Sequence, residues 1–247
     1  MYQKWRDLLF LHWPVPAEQL RPLIPSALDL DLFNGTAYVG LVLFTMKGVR
    51  PVGLPAVPWL SSFHETNVRT YVRHGTRRPG VWFFSLDAAN AIAVRIARSL
   101  FHLGYRHARM FVEHNPARRQ GEEGSILYAG VRRWPGPVPA SYAVHATPTG
   151  KLQPARSDTL DHFLIERYLL YTAKGDYIYE GQVHHTPYPT QSAQLHTLDE
   201  SLLAAAKIER STTQPLVHFS PGVDVEIFPL RALSTWPTPS THGSYNR

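Results

Sequence analysis

Two runs of strand-forming residues, 63–72 and 81–86, stand either side of a turn-like segment, 73–80, and a helical segment at about 88–101 follows directly. Strand side chains point alternately to opposite faces. In the first run this puts Phe63, Glu65, Asn67, Arg69 and Tyr71 on one side, and His64, Thr66, Val68, Thr70 and Val72 on the other. An acid, an amide and a guanidinium in a row suit the wall of a polar cavity. They also suit a solvated sheet face, and the pattern alone does not choose between them.

The flanking sequence reads mostly as strands in hairpins. Leu28, Leu30 and Leu32 alternate with Asp29 and Asp31, Asn34-Gly35 is a strong hairpin turn, and residues 37–46 return as a strand. Residues 109–114 and 126–134 form a second hairpin around the charged loop 115–124. Further strands are expected at 168–172, 177–185, 216–219 and 223–230. Helices are expected at 17–24, at 159–166 behind an Asp158 cap, and at 193–207, while Asp87 is placed to cap the helix at 88–101. Roughly ten strands in hairpins with three or four helices predict a mainly β, α+β fold, a curved antiparallel barrel or sandwich. Residues 1–232 read as one domain, and 233–247, rich in Ser, Thr, Pro and Gly, read as a flexible C-terminal tail.

Composition excludes several classes. There is no cysteine, so disulfides and thiolate metal sites are absent, and a cytoplasmic location is expected. No apolar run approaches the roughly 20 residues of a membrane-spanning helix. The formal charge of +6 rests on arginines that are scattered apart from Arg77-Arg78, Arg118-Arg119 and Arg132-Arg133. No basic helix or aromatic-basic motif is visible, so nucleic-acid binding ranks last among the functions considered. No glycine-rich phosphate loop, HExxH or GxSxG occurs, and no cofactor or metal is called for. His184 and His185 are strand neighbours facing opposite ways. His162 and Glu166, four apart on a helix, read as a surface pair. His12 and His102 lie among apolar neighbours, as satisfied core histidines do.

The runs HWPVP, LRPLIPSALDLDLFNGTAYVGLVLF, GVRPVGLP, SSFHETNVRTYV, PGVWFFSLDA, FLIERYLLY, VHHTPYP and HFSPGVDVEIF, in that order over about residues 7–230, resemble the YqjF-like family of uncharacterised bacterial proteins. That family is similar to the acetoacetate decarboxylase-like superfamily. The resemblance implies a closed, strongly curved β-barrel with helices outside and a central ligand cavity, and it favours an inward-facing Glu65, Asn67 and Arg69. True acetoacetate decarboxylases use a buried lysine that follows a Gly-Arg-Glu helix motif. Here Arg98 matches the arginine, Ser99 stands at the glutamate, and Tyr105 or Arg106 at the lysine. There is no lysine between Lys47 and Lys151, so imine chemistry is not implied.

The expected site is therefore Glu65, Arg98 and Tyr105 as catalytic groups, with Asn67, Arg69 and His102 binding ligand. Arg98 would clamp a carboxylate, or else pair with Glu65 or Asp87 as a strut. Glu65 would serve as general acid or base, and Tyr105 and His102 as donors to a carbonyl. The partner expected is a small carbonyl or carboxylate compound. A lysine-independent lyase- or hydrolase-type enzyme and a non-catalytic small-molecule sensor both remain open, as does a homo-oligomer.

Overall fold

The computed structural model describes residues 1–57, 59–100, 103–116, 124–136 and 138–235. Its strands are β1 (Tyr2–Val15), β2 (Asp29–Leu30), β3 (Ala37–Arg50), β4 (Phe63–Arg73), β5 (Gly80–Ala88), β6 (Tyr105–Asn115), β7 (Ser125–Trp134), β8 (Ser141–Gln153), β9 (Leu169–Lys174), β10 (Tyr177–His184), β11 (Thr190–Glu200), β12 (Leu216–Ile227) and β13 (Arg231–Thr235). Four short helices interrupt them: α1 (Ala17–Leu20), α2 (Ala91–Leu100), α3 (Leu160–Ile165) and α4 (Leu202–Ala205). All thirteen strands belong to one curved sheet, antiparallel except where β5 meets β6 and β9.

The pairing order returns on itself twice. Five strands, β12-β1-β3-β4-β5, form a shared wall. From its ends one circuit closes through β6, β7, β8 and β11, and another through β9 and β10. The wall forks at β5 and at β12. On β5, Val81 and Trp82 pair with β9 while Leu86, Asp87 and Ala88 pair with β6. On β12, His218 and Phe219 pair with β11 while Glu226 and Ile227 pair with β10.

A wall between two circuits has no solvent face. Residues 8–13 of β1 and 37–46 of β3 are buried without a break, and 65–72 of β4 likewise. Such strands carry continuous apolar runs rather than alternation, as AYVGLVLFTM does in β3. One face of the wall presents Leu9, Leu11, Trp13, Val39, Leu41, Leu43 and Val68 to a core completed by Tyr128, Tyr142 and Val144 of β7 and β8. The other presents Leu8, Phe10, Val42, Phe44 and Tyr71 to a second core closed by Leu164 and Ile165 of α3, with Val183 and Tyr188.

Several local expectations hold. Asn34 and Gly35 take positive φ between bridged Phe33 and Thr36, and β6 and β7 form the expected hairpin around a loop whose residues 117–123 lie outside the described set. Others are corrected. The strand at Asp29–Leu30 pairs with β4, not with the strand after the turn. The helix expected at 193–207 is mostly β11, lodged between β8 and β12, with only α4 helical. Its helix-forming residues yield to two ready ladders, since tertiary context overrides propensity. The runs on either side of Ser220-Pro221-Gly222 are one strand, β12, and the helix at 17–24 is a single α turn followed by a 3-10 turn. Asn90 caps α2, its Oδ1 accepting from the backbone of Ile92 and Ala93 at 3.0 Å each, and Thr159 caps α3. Residues 233–235, assigned to the tail, complete β13 against β10.

Candidate functional site

The inner row of β4 is Glu65, Asn67, Arg69 and Tyr71, all buried. Register sets their neighbours: Phe44 lies opposite Glu65, Val42 opposite Asn67 and Gly40 opposite Arg69. One strand further, Phe10 lies opposite Val42 and His12 opposite Gly40. Gly40 is required by close approach, because a Cβ there would stand 2.9 Å from His12 Cδ2 and 3.5 Å from Arg69 Cγ. Glycine thus lets an imidazole and a guanidinium from two non-adjacent strands converge on the inner surface.

At one end of the row, the Tyr105 hydroxyl donates to Glu65 Oε2 at 2.9 Å, and the Asn67 side chain also hydrogen-bonds the carboxyl. Burial outweighs both bonds and, with the Asp87 charge nearby, raises the Glu65 pKa to about 7. Burial and Glu65 together push the Tyr105 phenol well above its ordinary value, so it stays a neutral donor. A carboxyl near neutrality held by a phenol is a proton donor and acceptor in the physiological range.

This fixes a pH dependence. The folded protein holds the Glu65 proton up to about pH 7, whereas the unfolded chain releases it near 4.5. Stability contributed here is full below pH 4.5 and falls as pH rises toward 7, by up to about 3 kcal/mol. His12, His64, His185 and His218, all with lowered pKa values, act in the opposite sense, costing stability as pH falls below 6.5. The Glu65 contribution is therefore read as a difference. Urea unfolding of wild type and Glu65→Gln between pH 5 and 8 should show the variant gaining on wild type as pH rises. Parallel profiles would contradict the assignment.

At the other end, Arg69 Nη2 donates to the Leu164 carbonyl at 3.1 Å, at the end of α3, and its guanidinium lies 5.7 Å and 5.9 Å from the rings of Phe10 and Tyr71. Tyr71 donates to the same carbonyl at 2.7 Å. No carboxylate forms an ion pair with Arg69 among the described residues, and its buried Nε has no partner. Around it stand other buried polar atoms in the same condition: both ring nitrogens of His12, Nδ1 of His218, Nε2 of His185 and Oδ1 of Asn67. The rings connect them. His12 lies 6.4 Å from His218 and 6.2 Å from Phe10, Phe10 lies 5.6 Å from Tyr188, and Tyr188 lies 4.5 Å from His185. Burial, then the Arg69 charge, then His218 lower the His12 pKa, so that ring is neutral at neutral pH. Buried polar groups are ordinarily paired, so a cluster of exceptions calls for an explanation. Open clefts of about 270 Å³ beside Gln3 and Glu226 and about 550 Å³ beside His114 and Phe219 share no residue with this row.

The expected residues divide accordingly. Glu65, Asn67 and Arg69 share the inner row of β4, and Tyr105 of β6 bonds Glu65 at one end of it. Arg98 does not join them: it is exposed on α2, donates to the Tyr105 carbonyl at 2.8 Å and packs over Trp134. It stands one turn on from buried Val94, on the same side of α2, yet its side chain is exposed and is held by the Tyr105 carbonyl rather than by Glu65. His102 lies outside the described residues. Asp87 is no helix cap; it is fully buried and takes two bonds from Arg132 Nε and one from Nη2, near 3 Å. Glu166 is not a surface partner of His162 but a buried carboxylate accepting from Tyr188 N and the Tyr168 hydroxyl. His184 is exposed and His185 buried, on opposite sides. All five lysines, Lys4, Lys47, Lys151, Lys174 and Lys207, are exposed.

Sequence reading missed His12 as an unsatisfied group, and with it His185, His218 and Tyr188. The register of β1 on β3 would have revealed His12, but two-sided burial erases the alternation that sets register. Among the described residues no three His, Asp or Glu side chains gather as a metal site, and no helix is long and apolar enough to cross a membrane.

Comparison with known proteins agrees with this architecture. The DUF2071 family model, described as an uncharacterized conserved protein, matches residues 2–224. The uncharacterized protein YqjF of Bacillus subtilis is 36% identical over 240 residues, 95% of this chain and 93% of that one. An acetoacetate decarboxylase-like enzyme from Sphingomonas wittichii superposes with TM-score 0.65 at 12% identity, covering 95% of this chain and 93% of that one. The enduracididine biosynthesis enzyme MppR complexed with pyruvate gives 0.63 at 12% identity, covering 95% and 90%. Acetoacetate decarboxylase from Legionella pneumophila gives 0.61 at 9% identity, covering 96% and 88%.

Proposed function

The chain belongs to the DUF2071 family, and from that premise we propose that it binds a small carboxylate on the inner face of β4, held by the Arg69 guanidinium. One observation carries the reading: Arg69 is a buried cation with a bare Nε–H and no carboxylate in an ion pair with it among the described residues. A charge removed from water without a counter-ion is costly, and an arriving carboxylate supplies both the missing charge and the missing acceptor. The structurally similar MppR is seen with pyruvate, itself a small carboxylate.

Glu65, with Tyr105 of β6 bonded to it, lies on the same row as Arg69, four strand residues away, or about 13 Å along the backbone. They serve as the pocket's proton donor and acceptor. Imine formation plays no part in this reading, because it requires a neutral, enclosed amine and every lysine is exposed.

The test compares matched ligands on the wild-type protein. Calorimetric titration with acetate, propionate and pyruvate should give saturable binding, and the corresponding primary amides should bind at least about tenfold more weakly, since they lack the charge. Equal affinity for acid and amide would overturn the assignment.

A further inference from the structure

The unpaired atoms around Arg69 are not a random set of donors and acceptors. His185 Nδ1 faces the Thr186 carbonyl at 2.7 Å, and a carbonyl only accepts, so Nδ1 carries the proton and Nε2 is a bare lone pair. His218 Nε2 faces the Asp161 carboxylate at 3.1 Å, so Nε2 carries the proton and Nδ1 is the bare lone pair. Burial lowers the pKa of both rings, which keeps those lone pairs unprotonated at neutral pH. His12 has no partner at either nitrogen, so in its neutral form it offers one N–H and one lone pair. Arg69 offers one N–H.

The buried inventory is thus two donors against three imidazole lone pairs and the Asn67 Oδ1 acceptor. An oxo acid such as pyruvate brings only acceptors. It can satisfy Arg69 and the His12 N–H, and it leaves all three lone pairs buried without a hydrogen. An occupant that completes the set must carry hydrogens of its own on oxygen or nitrogen.

Resting on the reading of Arg69 as a carboxylate holder, we infer that the ligand is a hydroxy or amino acid, a small carboxylate with one or more O–H or N–H groups, rather than a simple oxo acid. The carboxylate answers Arg69, and the O–H or N–H groups answer the lone pairs of His12, His185 and His218. A site built around hydrogen-bonding partners discriminates strongly against analogues that lack them, because its own buried groups are then left unpaired.

The experiment is a calorimetric titration of the wild-type protein at pH 7.5 with pyruvate, lactate, glycerate and serine, and with glycerol and propionate as controls. Lactate should bind about tenfold more tightly than pyruvate, and glycerate more tightly again. His185→Phe and His218→Phe should each shrink the glycerate-to-pyruvate ratio. The ratio measured on the wild-type protein decides the matter even where a variant does not fold. Pyruvate binding as well as glycerate would overturn the inference and leave Arg69 as carboxylate holder intact. Glycerol binding as well as glycerate would overturn the Arg69 reading on which the inference rests. Binding of none of them would overturn both, the cluster then holding water only.

Discussion

Arg69→Met will raise the melting temperature of the unliganded protein and abolish its response to small carboxylates. Arg69 is only 9% exposed, and its cation is offset by a helix-end carbonyl and two aromatic faces rather than by an acid. Such partners return part of the desolvation cost, and replacing poorly compensated buried charges by apolar groups of similar volume often stabilises by about 1–4 kcal/mol. Methionine has the length and flexibility to fill the vacated volume. For a chain of this size the expected rise is a few degrees or more. Carboxylate affinity should fall by at least about a hundredfold, the worth of losing a charged, forked donor. Differential scanning fluorimetry with and without ligand measures both effects together. A lower melting temperature with binding retained would mean that Arg69 is a structural strut, and the proposed function would fail with it.

Arg132→Met will have the opposite effect on stability. Asp87 is 1% exposed, and Arg132 is the guanidinium that brackets it, with Nε and Nη2 near 3 Å from its oxygens. Burial already pushes the Asp87 carboxyl up even against this partner. Removing the arginine leaves a carboxylate in the interior with its main counter-charge gone, a change that costs about 3–5 kcal/mol. Urea unfolding at pH 7 should show that loss, and the loss should shrink as pH falls, because protonation then removes the orphaned charge. Asp87→Leu combined with Arg132→Met should recover most of the stability. If Arg132→Met alone costs under 1 kcal/mol, the pair is not what joins β5 to β7.

The two arginines show why the site was half legible. Alternation along one strand is local, so the Glu65, Asn67 and Arg69 row could be read from ten residues. Which face of that strand turned inward depended on β1 and β3, whose unbroken apolar runs hide their own register. His12 therefore passed for an ordinary core residue, although Gly40 leaves room for its ring beside Arg69. Arg98 was misjudged for a different reason. A motif match places an arginine on a helix but does not say what its head group reaches, and Arg98, exposed, donates to the Tyr105 carbonyl instead of Glu65. His185, His218 and Tyr188 reach the cluster from segments more than a hundred positions from β4, and no local pattern announces such meetings. The residues of β11 misled in the ordinary way: their spacing suits a helix, and two neighbouring ladders outweighed it.

The shared wall also sets a timetable. β1 sits between β3 and β12, with Leu9 opposite Leu43 on one side and Phe219 on the other. Its second neighbour is made some two hundred residues later, so neither circuit can close before β12 has been made. Until then the strand that carries His12 keeps an unpaired edge, and pairings of such long sequence separation form slowly. A nascent chain of this protein carries that edge open until β12 arrives to cover it.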